Sequence, residues 1–425
     1  MITNPASQIN IDKNQQNQNI MKYRLVCKKC GHVIPSFKEW FAADQVCTEC
    51  GSNYVEVSYN ADYSKLKELY KEKAANFWHY FDYLPLEDKA NEITCNEGAI
   101  PIEEWDYLEK FAEEQYGIDC KVMVYRNDLN GGTNTFKDVA AALAASVMKE
   151  NGIKEYCVAS TGNTATAFSK YLAKAGIRLS VFVPHCVCED TVKEIRSYGQ
   201  NLVISEGDYG AAKKEAADYH KNNHVLISGG NIDPLRVEAK KTMVFEFMRQ
   251  MGRMPDVYVQ AVSGGTGPIA VDKGVREIQD VYPEVKLPKL LLVQQDTCDP
   301  MVQGWENAVK AGFPEGYEKN FPSIPNPQTM VSILSTGTPG MFPIVAPIVR
   351  KSGGGFLRVK EADLVNIARI AYQERNVLLG PAAAVCLAGF YEALKEGKIQ
   401  SGQTVLVNTG EGADRAQQFA AEVKG

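Results

Sequence analysis

The sequence predicts an α/β protein built on doubly wound parallel sheets, with a small metal-binding ribbon ahead of them. Three observations predict this. From Lys121 onward, short β-branched runs alternate with helical stretches, the signature of repeated strand–helix–strand units. Those runs are near-continuously apolar, so helices are expected on both faces of each sheet. Near the N-terminus, Cys27-x2-Cys30-Gly31 and Cys47-x2-Cys50-Gly51 repeat one pattern, with sixteen residues between Cys30 and Cys47.

Composition bounds the rest. At 425 residues the chain can bury a large core and divide into two or three domains. Hydrophobic residues at 45% and charged residues at 23% are ordinary for a soluble globular protein. A formal net charge of −6 argues against nucleic acid or an anionic membrane as partner, so small-molecule partners are expected. No apolar run approaches a membrane span, and the first twenty residues, polar and rich in Asn and Gln, do not read as a signal peptide. A cytoplasmic placement is therefore expected. The eleven cysteines, an odd count scattered through apolar segments such as those of Cys157, Cys298 and Cys386, suit a reducing compartment and imply no disulfide framework.

Taken in order, residues 1–20 read as a disordered tail, and Met21 is a candidate natural start. Residues 21–60 read as a zinc ribbon. Cys27, Cys30, Cys47 and Cys50 sit on two tight turns whose thiolates close a tetrahedron, leaving no open position for water or substrate, so the zinc is expected to be structural. His32 is a neighbour outside that ligand set. Residues 61–92 read as a helix followed by an aromatic loop whose rings serve packing. Strands are expected at Tyr156 to Ser160, Arg178 to Pro184, Asn201 to Ser205, His224 to Ser228, Asp256 to Val262, Leu290 to Gln295 and Thr404 to Val407. His185, Cys186 and Cys188 form a metal-like cluster after one strand end, but three groups of mixed spacing point to packing.

Chemistry concentrates on Lys137, in Gly131-Gly132-Thr133-Asn134-Thr135-Phe136-Lys137-Asp138. The alanine-rich stretch from Val139 to Val147 follows at helical spacing, so Lys137 stands at a helix entrance, where acidic residues are usual. Desolvation and the positive dipole end both disfavour its ammonium form, and a neutral amine is what Schiff-base chemistry with a carbonyl cofactor needs. Ser263-Gly264-Gly265-Thr266-Gly267 lies between an expected strand and an expected helix, where backbone N–H groups can hold a phosphate. Gly265-x-Gly267-x-x-Ala270 also satisfies a dinucleotide-binding fingerprint, although Asp296 lies far along for the acidic partner of a nicotinamide enzyme.

Taken together, Thr133-x-Thr135-Phe136-Lys137-Asp138, Ala159-Ser160-Thr161-Gly162-Asn163-Thr164, the 263–267 turn and Asn408-Thr409-Gly410-Glu411-Gly412 resemble the successive motifs of the threonine synthase family. That family is a branch of the fold-type II (tryptophan synthase β-like) pyridoxal-phosphate enzymes. Glu97-Gly98-x-x-Pro101, Arg236-x-Glu238-x-Lys240-Lys241-Thr242 and Gly380-Pro381-Ala382-Ala383-Ala384 extend the resemblance from about Glu97 to the end. It implies a large cofactor-binding domain from residues 61–138 and 231–425, a small one from 139–230, and a homodimer. It implies Lys137 as the cofactor lysine, with Ser263, Gly264, Gly265, Thr266 and Gly267 as the phosphate cradle. Asn163 would partner the phenolic oxygen, and Thr409 the pyridine nitrogen. Ser160, Thr161 and Thr164 would grip the substrate carboxylate, with Thr133, Asn134 and Thr135 also at the substrate. Arg126, Arg236, Lys240 and Lys241 are the candidate cations for a phosphate or a sulfur oxyanion, with Arg126 and Lys240 foremost.

The chain departs from the family around the lysine, where Asn-Pro-Thr-Gly-Ser-Phe-Lys-Asp-Arg is usual. Gly132 replaces proline, Asn134 replaces glycine, Val139 replaces arginine, and Glu411 stands where histidine is familiar. If those changes refit the substrate pocket, a sister activity follows: cysteate synthase, which replaces the phosphate of O-phosphoserine with sulfite. Threonine synthase, acting on O-phosphohomoserine and water, is the alternative. A zinc-ribbon nucleic-acid adaptor is disfavoured by the acidic balance, and a dead paralogue by the presence of Lys137.

Overall fold

The computed structural model describes residues 21–425, so the tail expected over residues 1–20 lies outside the described residues. β1 (Tyr23–Cys27), β2 (Val33–Ile34) and β3 (Val55–Tyr59) form an antiparallel sheet in the order β2-β1-β3. Leu25 and Val57 point from it into a core shared with Phe37 and Trp40 of the Phe37–Ala42 helix. Ser36 caps that helix by accepting from Lys38 N at 3.0 Å.

Residues 61–92 correct the expected helix. Only Leu66–Leu69 is α-helical, between the 3₁₀ turn Tyr63–Lys65 and the 3₁₀ segment Phe77–Tyr83. Its rings do serve packing: Tyr80 and Tyr83 both meet Phe245 edge-on. So many bulky aromatics are better buried from an irregular path than along one face of a single helix.

β4 (Ile102–Glu104) and β5 (Lys121–Tyr125) open the larger sheet. β6 (Glu155–Ala159), β7 (Arg178–Val183), β8 (Asn201–Ile204) and β9 (Leu226–Ile227) form a separate parallel sheet, ordered β8-β7-β6-β9. β10 (Val257–Ala261), β11 (Lys289–Gln295), β12 (Gly355–Val359) and β13 (Thr404–Asn408) complete the larger one, ordered β12-β11-β10-β13-β5-β4. All its pairings are parallel except β4 with β5, so this sheet is mixed, with an antiparallel edge. Six consecutive residues of β11, Leu290 to Gln295, are buried, as a strand covered on both faces requires.

The helices Pro234–Met251 and Thr266–Ile278 pack directly on each other, and Gly274 makes the approach possible. A Cβ there would meet Val244 Cγ2 at 2.8 Å and the Lys241 carbonyl at 3.0 Å. The loops after β6, β9, β10 and β13 all leave carboxyl ends of parallel strands, where open α/β sheets place their ligands.

Candidate active site

The loop that carries Lys137 is folded around one carboxylate. Asp138 Oδ1 accepts from Thr133 N and Thr133 Oγ1, both at 2.8 Å, and Oδ2 accepts from Thr135 N at 2.9 Å. Burial pushes the Asp138 carboxyl up to about 7 against those hydrogen bonds. Lys137 is the residue before the Asp138–Glu150 helix, as expected, with Nζ 3.6 Å from the Phe136 ring centroid. Desolvation first and Arg236 second lower its pKa to about 7, with Glu411 opposing them. An amine so placed is half neutral near pH 7.

A cleft opens at Lys137 between the two sheets. Its inner slot is lined by Phe136, Lys137, Ser160, Asn163, Cys386 and Glu411, among others. Thr161 and Thr164 line it too, so four residues of the turn after β6, Ser160, Thr161, Asn163 and Thr164, reach the cleft. Ser160 Oγ accepts from Gly162 N at 3.1 Å and Ala165 N at 3.0 Å. Asn163 donates from Nδ2 to Glu411 Oε2 at 2.6 Å and accepts on Oδ1 from Arg415 Nε at 3.2 Å.

The outer part of the cleft, a cavity of about 360 Å³, falls in the roughly 300–1,000 Å³ range of small-molecule sites. It is lined by Lys137, Ser160, Ser228, Arg236, Ser263 and Gly264, with Lys213 exposed at its mouth and no carboxylate among the described residues that line it. Gly265, at φ +96°, turns the chain into the Thr266–Ile278 helix without a side-chain cap, leaving first-turn N–H groups for an anion. Gly264 is laid against the loop after β9: a Cβ there would fall 1.9 Å from Asn231 Nδ2, while Thr266 Oγ1 donates to Asn231 Oδ1 at 2.9 Å. Arg236 is buried over the Phe168 ring and donates from Nη2 to Ser228 Oγ at 2.6 Å. Its Nε is buried with no partner among the described residues. A buried guanidinium N–H left open beside a carboxylate-free cavity is the mark of a site built for an anion.

Several expected contacts lie elsewhere. Arg126 does not line the cleft; its guanidinium is committed to Asp128 at 2.7 Å and Glu103 at 2.6 Å. Thr133 and Asn134 line a separate surface depression with Asp414 and Arg415, while Thr135 is buried under its own loop. The Thr409 hydroxyl is directed at the Tyr125 carbonyl, 2.9 Å away, and Asp128 Oδ1, 3.0 Å away, rather than into the slot. Of the glycine-rich turn, Ser263 and Gly264 line the cleft, whereas Gly265 and Gly267 face Val345 and Gln260. Lys240 stands behind Phe136, 4.6 Å from its ring, its ammonium strongly disfavoured by desolvation and by Lys137 and Arg236. Lys241 points the other way, into ion pairs with Glu238 and Glu277. Lys213 escaped notice because nothing in the Tyr209–Asn223 helix marks one exposed lysine from its neighbours.

A second centre lies in the ribbon. Cys27, Cys30, Cys47 and Cys50 bring their sulfurs within 4.8 Å of one another, and His32 stays outside. Gly31 and Gly51, both at positive φ, close the two turns through N–H bonds to the Cys27 and Cys47 carbonyls, at 2.9 and 2.8 Å. His185, Cys186 and Cys188 form no such cluster; Cys188 donates to the Arg415 carbonyl at 3.2 Å.

Comparison with known proteins agrees with this geometry. The chain is similar to the threonine synthase of Methanocaldococcus jannaschii, 26% identical over 396 residues that cover 91% of each chain. Its likeness to the threonine synthase of Methanosarcina acetivorans is 27% over 395 residues, again 91% of each. In fold it is similar to an L-serine ammonia-lyase from Rhizomucor miehei, with a TM-score of 0.62 at 18% identity, covering 77% of this chain and 98% of that one. It is also similar to diaminopropionate ammonia-lyase from Escherichia coli, with a TM-score of 0.61 at 16% identity, covering 85% and 91%. The family described as pyridoxal-phosphate dependent enzyme matches residues 93–410, which carry Lys137, the turn after β6 and the 263–267 turn and stop one residue short of Glu411, and this match sets aside the nicotinamide reading of the 265–270 turn: the chain is a threonine synthase-like member of the fold-type II pyridoxal-phosphate dependent enzymes.

Proposed function

We propose that the protein replaces the phosphate of an O-phospho amino acid, and that it is a threonine synthase converting O-phosphohomoserine and water to threonine and phosphate. The observation that carries the reading is the open Nε of Arg236, buried beside the cavity that also holds Lys137 and no carboxylate. A phosphorylated substrate supplies the missing acceptor. The names of the relatives matched over 91% of their length support the threonine reading.

The residues fit pyridoxal phosphate. Lys137 offers the amine, Ser263, Gly264 and the start of the Thr266–Ile278 helix offer the phosphate cradle, and Asn163 offers an amide N–H at the slot. When bound, the cofactor supplies an electron sink that acidifies the substrate's Cα–H and eases loss of phosphate. Lys137, with its pKa near 7, carries protons to and from the substrate carbon. Arg236 orients the departing phosphate, with Lys213 at the mouth adding charge, while the Ser160 turn meets the carboxylate. The four ribbon thiols would hold a structural zinc. No described helix is long and apolar enough to cross a membrane, and the reading is of a cytoplasmic homodimer acting on small molecules.

The cysteate synthase reading rests on fewer observations than its motif departures suggest. Val139 is buried in the core, and Asn134 bonds Asp414, so neither departure lines the cleft. Glu411 does line the slot and keeps O-phosphoserine with sulfite as the second reading. Purified enzyme is assayed with O-phosphohomoserine and, separately, with O-phosphoserine plus sulfite. Threonine formation is expected; cysteate without threonine would exchange the two readings, and no phosphate release from either substrate would overturn both.

A further inference from the structure

Glu411 has no role in the family pattern, yet the structure ties it to both sides of the cleft. Its main chain is zipped to the lysine loop: Phe136 N donates to the Gly410 carbonyl at 3.1 Å, Gly412 N donates to the Asn134 carbonyl at 2.9 Å, and Thr135 and Glu411 form an antiparallel bridge. Its buried carboxylate accepts on Oε2 from Asn163 Nδ2 at 2.6 Å and on Oε1 from Ala382 N at 3.0 Å. Asn163 opens the Asn163–Lys174 helix and Ala382 lies in the first turn of the Pro381–Lys395 helix. One carboxylate therefore bridges two helix starts, where negative charge is favoured.

Asn163 is held at both ends by partners of fixed character. The carboxylate only accepts and the Arg415 guanidinium only donates, so the amide has one orientation, its second N–H left over at the slot it lines. A neutral histidine at 411, able to donate or accept, would not impose that choice. Among the described residues, Glu411 is also the one carboxylate lining the slot with Lys137. The groups facing it are Arg415, backed by Glu194 at 3.2 Å, Lys137, and the Cys386 thiol of the Pro381–Lys395 helix, which burial and then Glu411 push up; the start of that helix presents no charge.

We propose that Glu411 is a positioning residue of the cleft, one that fixes the Asn163 amide with its nitrogen toward the cofactor and sets the charge balance at Lys137. The proposal rests on the reading of this cleft as the cofactor site. Burial raises the Glu411 carboxyl above its ordinary range, opposed by Asn163, Arg415, the Ala382 N–H and Lys137. Glu411 in turn favours the Lys137 ammonium.

The test uses full-length apoenzyme mixed with pyridoxal phosphate, following capture by absorbance against pH and the rate of cofactor release. Glu411→Gln puts an amide NH2 where one of the two carboxylate oxygens accepts, so either Asn163 Nδ2 or Ala382 N faces another donor, and it removes the charge. Its capture midpoint should fall about one unit below that of wild type, as loss of a nearby opposite charge requires, and cofactor release should be about tenfold faster, a loss of roughly one hydrogen bond to a charged group. Glu411→Asp keeps the charge and should hold the midpoint within a few tenths of a unit while still releasing cofactor faster. Asn163→Ala should make the release rate insensitive to Glu411→Gln. An unchanged midpoint in Glu411→Gln, or release rates that multiply independently in the double variant, would overturn the proposal. Borohydride labelling at Lys137 in wild type separates these failures from failure of the cofactor reading itself, which would show as label on another lysine or none.

Discussion

Replacing Lys241 with methionine tests whether the ribbon and the helices under the cleft are one electrostatic unit. Lys241 Nζ lies 2.7 Å from Glu238 Oε2 and 2.8 Å from Glu277 Oε2, with the three side chains 0%, 1% and 12% exposed. Lys273, 2% exposed, pairs with the same two carboxylates, 3.2 Å from Glu238 Oε1 but off the hydrogen-bonding direction, and donates to the Val57 carbonyl of β3 at 2.8 Å. Tyr59 of β3 donates to Glu238 Oε2 at 2.7 Å, and Lys241 Nζ lies 3.8 Å from its ring centroid. Two cations thus balance two anions in a buried space between the ribbon and the helices Pro234–Met251 and Thr266–Ile278. Methionine fills the volume but leaves two buried carboxylates with one lysine. Breaking a buried pair on one side costs about 3–5 kcal/mol, a large share of a typical 5–15 kcal/mol. Urea unfolding of full-length Lys241→Met, followed by circular dichroism, should show a loss of about 4 kcal/mol at pH 7. Adding Glu277→Gln restores charge balance and should recover about half of it.

The sign of the pH dependence follows from Glu277. Burial alone would push its carboxyl up, but Lys241 and Lys273 hold it below the ordinary value. A depressed carboxylate contributes stability that is present above its unfolded pKa of about 4.3 and is lost as pH falls through the folded value. The gap between wild type and Lys241→Met should therefore narrow below about pH 4. A loss under about 1 kcal/mol at pH 7, the size of an exposed pair, would refute the reasoning, as would a gap that does not change with pH.

Because Lys137 is lowered to about 7, apoenzyme should capture pyridoxal phosphate at a rate that rises through pH 7 and levels off above it; a midpoint near the ordinary 10.5 would show a solvated lysine. Arg236→Met removes charged hydrogen bonds worth about 1.5–3 kcal/mol, so kcat/KM for O-phosphohomoserine should fall roughly 10- to 150-fold in fully loaded enzyme, with the Lys137 capture midpoint moving up because Arg236 no longer lowers it; unaltered kinetics would place the phosphate elsewhere. Metal analysis should find about one zinc per chain, the stoichiometry of a four-thiolate site. Cys27→Ser or Cys47→Ser should lose the metal and lower the unfolding midpoint while the cofactor's absorption in folded protein stays intact, and loss of chemistry at unchanged stability would make the metal catalytic.

What the sequence disclosed depended on whether the controlling interaction was local. β11 could be read because six adjacent buried positions leave no other interpretation. β12 was missed because Gly355-Phe356-Leu357-Arg358-Val359 carries an arginine at its fourth position, and its strand character comes from pairing with β11. The lowered pKa at Lys137 was anticipated, but from desolvation and a helix dipole; the second cause is Arg236, ninety-nine positions away and brought near by folding. The cation at fault was Arg126. A lysine or arginine at a strand end reads the same whether its charge is free or spent, and only the fold places Glu103 and Asp128 around this guanidinium. The same limit applied to Thr133, Asn134 and Thr135. A loop next to the proposed cofactor lysine invites assignment to the substrate, yet two of these three residues hold the loop itself through Asp138, and the third bonds Asp414. Their motif is therefore a folding motif that aims Lys137, which is why changes within it are weak witnesses to a change of substrate. Departures that line the cleft carry that information, and Glu411, across the slot from the lysine, is the departure that does.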